Sequence, residues 1–99
     1  MWLVVCNSSA GKGKGSTLAR DLIKLLSNSG LENKLIDCHT FTETKFLLEK
    51  EIQTNRYNYL IAVGGDGLVN LCLQMVAEKP ICLGVIPSGT GNDLSLIHI

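Results

Sequence analysis

No sign of charge predominates in this chain. Nine Lys and Arg balance nine Asp and Glu, so no global field favours DNA, RNA or an anionic membrane. Long hydrophobic runs are missing too. The longest uncharged stretch, residues 80–92, is rich in turn formers and falls short of the ~20 apolar residues of a spanning helix. No basic residue precedes the apolar segment at residues 2–6, so the N-terminus does not read as a signal peptide. Cys6, Cys38, Cys72 and Cys82 show no C-x-x-C spacing, and three of them lie in apolar runs. They read as small buried hydrophobes of a reducing cytosol rather than as disulfides or metal ligands. Ten glycines and two prolines do not form the periodic or low-complexity patterns of collagen or disorder.

What is present is a buried-core composition: 45% hydrophobic and 18% charged in 99 residues. That length allows one domain or a piece of a larger one. So apolar a small chain leads us to expect surface that needs cover.

Strand and helix signals alternate. Residues 2–7 form a short valine-rich run, read as a strand buried on both faces. After the glycine-rich residues 8–15, a helical pattern starts at Ser16, with Leu18, Leu22, Leu25 and Leu26 on one stripe. Gly30 stands where a helix C-terminus tolerates positive φ. Residues 31–37 read as a second strand. Thr40 and Glu43 form a capping box that opens a helix to about Thr54, with Phe41, Leu48 and Ile52 facing inward. Residues 59–63 read as a third strand, 68–77 as a helix and 81–86 as a fourth strand. Strands alternating with helices imply an α/β three-layer fold with a parallel sheet. Right-handed crossovers allow the strand order 2-1-3-4. The glycine loops would then share one crevice at the carboxyl ends of the strands. The third helix is apolar on almost every side, which predicts a covering neighbour beyond these elements.

Three loops carry the chemistry. In the first, Gly13-Lys14 is followed by Gly15, and Ser8 stands where a Walker motif needs glycine, so that pattern fails. The dinucleotide fingerprint fails as well, because Gly11 and Gly13 are followed by Ser16. There remain Gly11, Gly13 and Gly15, two lysines (Lys12 and Lys14) and a helix N-terminus behind them. Such a loop can bind phosphate or serve as a connector. Lys12, Lys14, Arg20 and Lys24 against the single Asp21 make this end locally basic. In the second loop, Gly64, Gly65 and Gly67 surround Asp66. A bare carboxylate repels phosphate unless Mg²⁺ lies between them; the alternative is Asp66 as a helix N-cap. In the third, Gly89, Thr90, Gly91, Asn92 and Asp93 combine glycine freedom with a hydroxyl, an amide and an acid, or form a polar turn.

Asn7-Ser-Ser-Ala-Gly11, Gly64-Gly-Asp-Gly67 and Pro87-Ser-Gly-Thr-Gly-Asn-Asp93 occur in an order and spacing that resemble the diacylglycerol kinase-like lipid kinases, bacterial type. The similarity runs from about Leu3 to Asp93. The resemblance implies an α/β nucleotide-binding domain facing a β-rich C-terminal domain, with transfer of the ATP γ-phosphate to a lipid hydroxyl in the presence of Mg²⁺. Asn7, Gly11, Lys12, Gly13, Lys14 and Gly15 would line the nucleotide site. Gly64, Gly65 and Gly67 would cradle phosphates, with Gly89, Thr90 and Asn92 in the same site. Asp66 and Asp93 would be the catalytic acids, Asp66 joined to Mg²⁺ through water. Where the family usually has Thr and Glu, Leu68 and Leu71 stand here, while Asn70 is retained. Residues 1–93 are thus expected to be an incomplete kinase domain, 94–99 an artefact or truncation tail, and the lipid-binding C-terminal domain absent. His39 and His98 receive no role. The expected partners are ATP and, through the absent domain, a lipid, with no nucleic acid. The expected location is cytoplasmic, with peripheral contact at the inner membrane face. An NAD kinase-like enzyme and a non-catalytic nucleotide-binding relic are the alternatives, the latter suggested by Leu68 and Leu71.

Overall fold

The computed structural model describes residues 1–7, 14–87 and 95–98. Five strands, β1 (Trp2–Asn7), β2 (Asn33–Cys38), β3 (Tyr59–Gly64), β4 (Cys82–Pro87) and β5 (Ser95–His98), form one sheet in the order β2-β1-β3-β4-β5. The first four are parallel in the expected 2-1-3-4 order, and β5 joins β4 antiparallel. Residues 95–98, given no structure by the sequence reading, thus form the edge strand beside β4.

Side-chain alternation splits the core into two layers. Val4 and Cys6 of β1 and Ile61 and Val63 of β3 face α1 (Lys14–Asn28), together with Ala19 and Leu26. Leu3, Val5, Leu60 and Ala62 face α2 (Phe41–Ile52) and α3 (Asp66–Val76) on the other side. Near-continuous burial of β1 and β3 follows from cover on both faces. Each fully buried Leu or Val contributes about 1.5–3 kcal/mol relative to exposure.

Local signals account for the helix ends. Gly30 has φ +75°. Its N–H donates to Ser27 O at 3.1 Å, and Leu31 N–H donates to Leu26 O at 2.9 Å, the two bonds of a Schellman cap. At α2, Glu43 N–H donates to Thr40 Oγ1 at 3.1 Å, and the Glu43 carboxylate reaches back to accept from the Thr40 hydroxyl at 3.2 Å. Helix α1 begins at Lys14, two residues before the expected start, α2 stops at Ile52 and α3 begins at Asp66.

Two expectations about packing change against the structure. Leu25 is exposed rather than on the inward stripe of α1. The buried residues of α1 are Ala19 and Leu26, and Leu25 lies roughly a quarter turn from Leu26. Much of helix α3 is covered within this chain: Leu68, Leu71, Cys72 and Val76 are buried, while Val69, Leu73 and Met75 pack against the same core and stay partly exposed. Packing of α2 alongside α3 and the strands covers the sides that looked unpaired. Half of the exposed large apolar side chains among the described residues sit on α2, at Phe41, Phe46 and Leu47, the others being Leu25, Leu31 and Tyr59. Phe46 points away from Thr44, Leu48 and Ile52, the buried side of its helix. No helix among the described residues is long and apolar enough to cross a membrane.

Candidate functional site

Parallel strands end together, so β1, β3 and β4 finish along one edge with Gly64 opposite Pro87. The chain leaves β1 toward one outer strand and β3 toward the other, which opens a crevice between them. Asn7 ends β1 on the side facing α2 and α3. There it joins Gly64, Gly65, Gly67, Leu68, Phe41 and Thr44 around a cavity of about 220 Å³.

The three glycines of this turn are glycine for different reasons. A Cβ on Gly64 would meet Leu68 Cδ2 at 2.9 Å, so alanine there requires Leu68 to turn aside. A Cβ on Gly65 or Gly67 would meet nothing within 4 Å, and neither has the positive φ that favours glycine. Nothing among the described residues needs these two to lack a side chain. Their bare backbone leaves room for a group to approach the first turn of α3, where free N–H donors and the helix dipole favour an anion.

Gly65, not Asp66, is the N-cap of α3, and it makes no side-chain capping bond. Asp66 is the first helical residue and is exposed. The N-cap alternative for Asp66 is therefore corrected; the residue is exposed between Gly65 and Gly67, both of which line the crevice. A single carboxylate in that place suits Mg²⁺, which keeps most of its waters and is held by one or two carboxylates plus phosphate oxygens. Among the described residues, no three His, Cys, Asp or Glu side chains cluster as a self-sufficient metal site.

The floor of the cavity is apolar. Leu68 and Leu71 are buried in the core, so the two positions where a hydroxyl and a carboxylate were expected serve packing. Phe41 is a further correction: it was expected on the buried stripe, yet it is 52% exposed and lines the crevice. Helix α2 begins at the carboxyl edge, so its first turn projects beyond the sheet while Leu48 and Ile52 lie over it. Thr44 is buried, and its hydroxyl donates to Thr40 O at 2.9 Å. Neither Phe41 nor Thr44 was foreseen as a site residue. The capping box was the available signal, since it marks the end of α2 that must sit at the crevice.

On the opposite face, the Ser16 hydroxyl donates to Asp37 Oδ2 at 3.2 Å, and Arg20 Nη2 lies 3.9 Å from the same oxygen. This ties the first turn of α1 to the end of β2. Burial, reinforced by Asp37, pushes the Cys6 thiol up to about 12, and burial alone does the same to Cys72. Both are inert thiols at neutral pH. Lys14 and Gly15 are the first residues of α1. The expected site residues Gly11, Lys12, Gly13, Gly89, Thr90, Asn92 and Asp93 lie outside the described residues.

Comparison with known proteins places this geometry in a family. The family model described as the diacylglycerol kinase catalytic domain matches residues 1–97. The chain belongs to the diacylglycerol kinase catalytic domain family. It is 33% identical over 99 residues to the diacylglycerol kinase of Staphylococcus aureus (strain MRSA252), covering 97% of this chain and 31% of that protein. It is 33% identical over 92 residues to the Staphylococcus epidermidis (strain ATCC 12228) diacylglycerol kinase, covering 91% and 29%. With the Staphylococcus saprophyticus enzyme of the same name the identity is 32%, covering 91% and 30%. The chain thus spans about a third of the length of the curated relatives it matches.

Proposed function

We propose that this chain is the nucleotide-binding part of an ATP-dependent kinase that phosphorylates a lipid hydroxyl. The observation that carries this reading is the convergence of Asn7, Gly65 and Gly67 on one crevice, with open space where the two glycines lack a Cβ. The α3 backbone N–H groups would hold phosphate oxygens, and Asn7 would contribute its amide. Asp66 would orient the waters of Mg²⁺, whose chemistry when bound is to neutralise charge on the transferring phosphate. Lys12, Lys14, Thr90, Asn92 and Asp93 complete the site by family resemblance. The acceptor would be a diacylglycerol-type lipid presented at the inner face of a membrane by a cytoplasmic enzyme.

Titration of the chain with Mg·ADP tests this. Gly65→Val should abolish binding by filling the phosphate approach. The chain should stay folded and lose only the roughly 1 kcal/mol that a poor N-cap residue costs, since no described residue lies within 4 Å of the new Cβ. Equal binding by the wild type and the Gly65→Val variant would remove the glycine turn from the nucleotide site.

Leu68 and Leu71 favour a second reading, nucleotide binding without turnover, since both are committed to the core. A chimera carrying this chain in place of the matching third of the Staphylococcus aureus relative separates the two. Lipid phosphorylation by the chimera supports the kinase, whereas a folded chimera that binds Mg·ADP without turnover supports the second reading.

A further inference from the structure

We propose that Phe41 is the aromatic wall on which the base of the bound nucleotide stacks. The inference rests on the nucleotide-site reading above and adds to it a further residue of the crevice wall. Phe41 is 52% exposed, while Leu48, two turns along the same stripe, is 0%. Among the described residues the other rings find partners: Trp2 and Tyr59 stack on each other, and Lys50 and Arg56 lie over Phe46 and Tyr57. The Phe41 ring has no such partner, and its wall of the cavity is shared with Thr44 and Leu68.

The backbone that carries the ring is held in place. The Thr40–Glu43 capping bonds and the Thr44 hydroxyl on Thr40 O lock the first turn of α2. A pre-set aromatic loses little freedom when a flat ligand covers it. The cavity, about 220 Å³, is smaller than the roughly 300–1,000 Å³ of pockets that enclose a whole small ligand. With phosphates against Gly65 and Gly67, the rest of the nucleotide must leave the cavity along one of its walls. Phe41 offers that wall a π-face, which stacks on any base.

The test measures Mg·ADP and Mg·tripolyphosphate binding to the full chain by calorimetry, for wild type, Phe41→Ala and Phe41→Trp. Tripolyphosphate occupies the glycine turn and carries no base. Phe41→Ala should weaken Mg·ADP roughly 5- to 150-fold and leave Mg·tripolyphosphate within about twofold, and Phe41→Trp should restore Mg·ADP. Equal weakening of both ligands would mean that Phe41 only supports the fold of the turn, and no weakening of either would mean that the ring faces something else. Either result overturns the proposal while the glycine turn stands as a phosphate site. Failure of the wild type to bind either ligand overturns both.

Discussion

At the amino end of the sheet, the Met1 ammonium donates to Asn58 Oδ1 at 2.8 Å, and the Trp2 and Tyr59 rings stack with centroids 4.2 Å apart. Nearby, Glu51 accepts from the Tyr57 hydroxyl at 2.5 Å and from Lys34 at 3.1 Å, and Arg56 stands 3.6 Å away. At the carboxyl end the described groups are of another kind: bare glycine backbone, an exposed Asp66 and a half-exposed Phe41 with no ring partner. A wider hollow, about 630 Å³, does lie at the amino end between Met1, Trp2, Leu31 and Arg56. Parallel α/β sheets, however, bind ligands at the carboxyl ends of their strands. The polar and aromatic groups of the amino end pair with one another, whereas Phe41, Gly65, Asp66 and Gly67 at the carboxyl end are exposed.

The contrast is strongest within α2. Leu48→Ala should cost about 2–5 kcal/mol, the range for a fully buried leucine. Phe41→Ala, on the same stripe, should cost well under half of that in a urea melt. Equal losses would show that Phe41 belongs to the core and would erase the difference between the two ends of the helix.

Tyr57→Phe breaks the paired end. It removes the phenol that holds the Glu51 carboxyl below the usual carboxylate range, an effect aided by Lys34 and opposed by burial. The loss should be about 1–3 kcal/mol, with Mg·ADP affinity unchanged. A parallel loss of nucleotide binding would mean that the two ends are coupled.

A smaller effect appears with pH. Burial, then the bond to Glu51, raises Tyr57 to about 12 from an ordinary 10. A raised pKa contributes stability that is fully present below the unfolded value and lost as pH climbs to the folded one. Stability should therefore fall between pH 10 and 12, and less steeply in Tyr57→Phe. Identical slopes in the two proteins would take Tyr57 out of the account.

Much of this contrast was legible before any coordinates. Period and punctuation located β1 at its observed limits, and the handedness of crossovers allowed the observed order 2-1-3-4. The turn around Asp66 announced the crevice because three glycines at a strand end have few other uses. What was not legible depends on where elements end relative to one another. Periodicity puts Phe41 and Leu48 on one stripe but does not say that the sheet stops beneath the first turn of α2. Leu25 was misplaced because a small residue, Ala19, sets the closest approach of α1, which a count of leucines overlooks. The apolar sides of α3 looked unpaired because the packing of α2 beside it is a tertiary fact. Residues 95–98 carry too little pattern to show a strand that gains its bonds from β4.

The central claim is that Gly65 and Gly67 are bare for the sake of a ligand. Gly67→Ala tests it most directly, because structure and function then predict opposite signs. Within the first turn of α3, alanine should raise stability by about 0.5–1 kcal/mol, since glycine is the poorer helix former and no neighbour among the described residues obstructs a Cβ. The same methyl group should lower Mg·ADP affinity at least about tenfold by blocking the backbone approach to phosphate. A melt and a titration on one preparation give both numbers. A stabilised variant that binds Mg·ADP as well as the wild type would contradict the account.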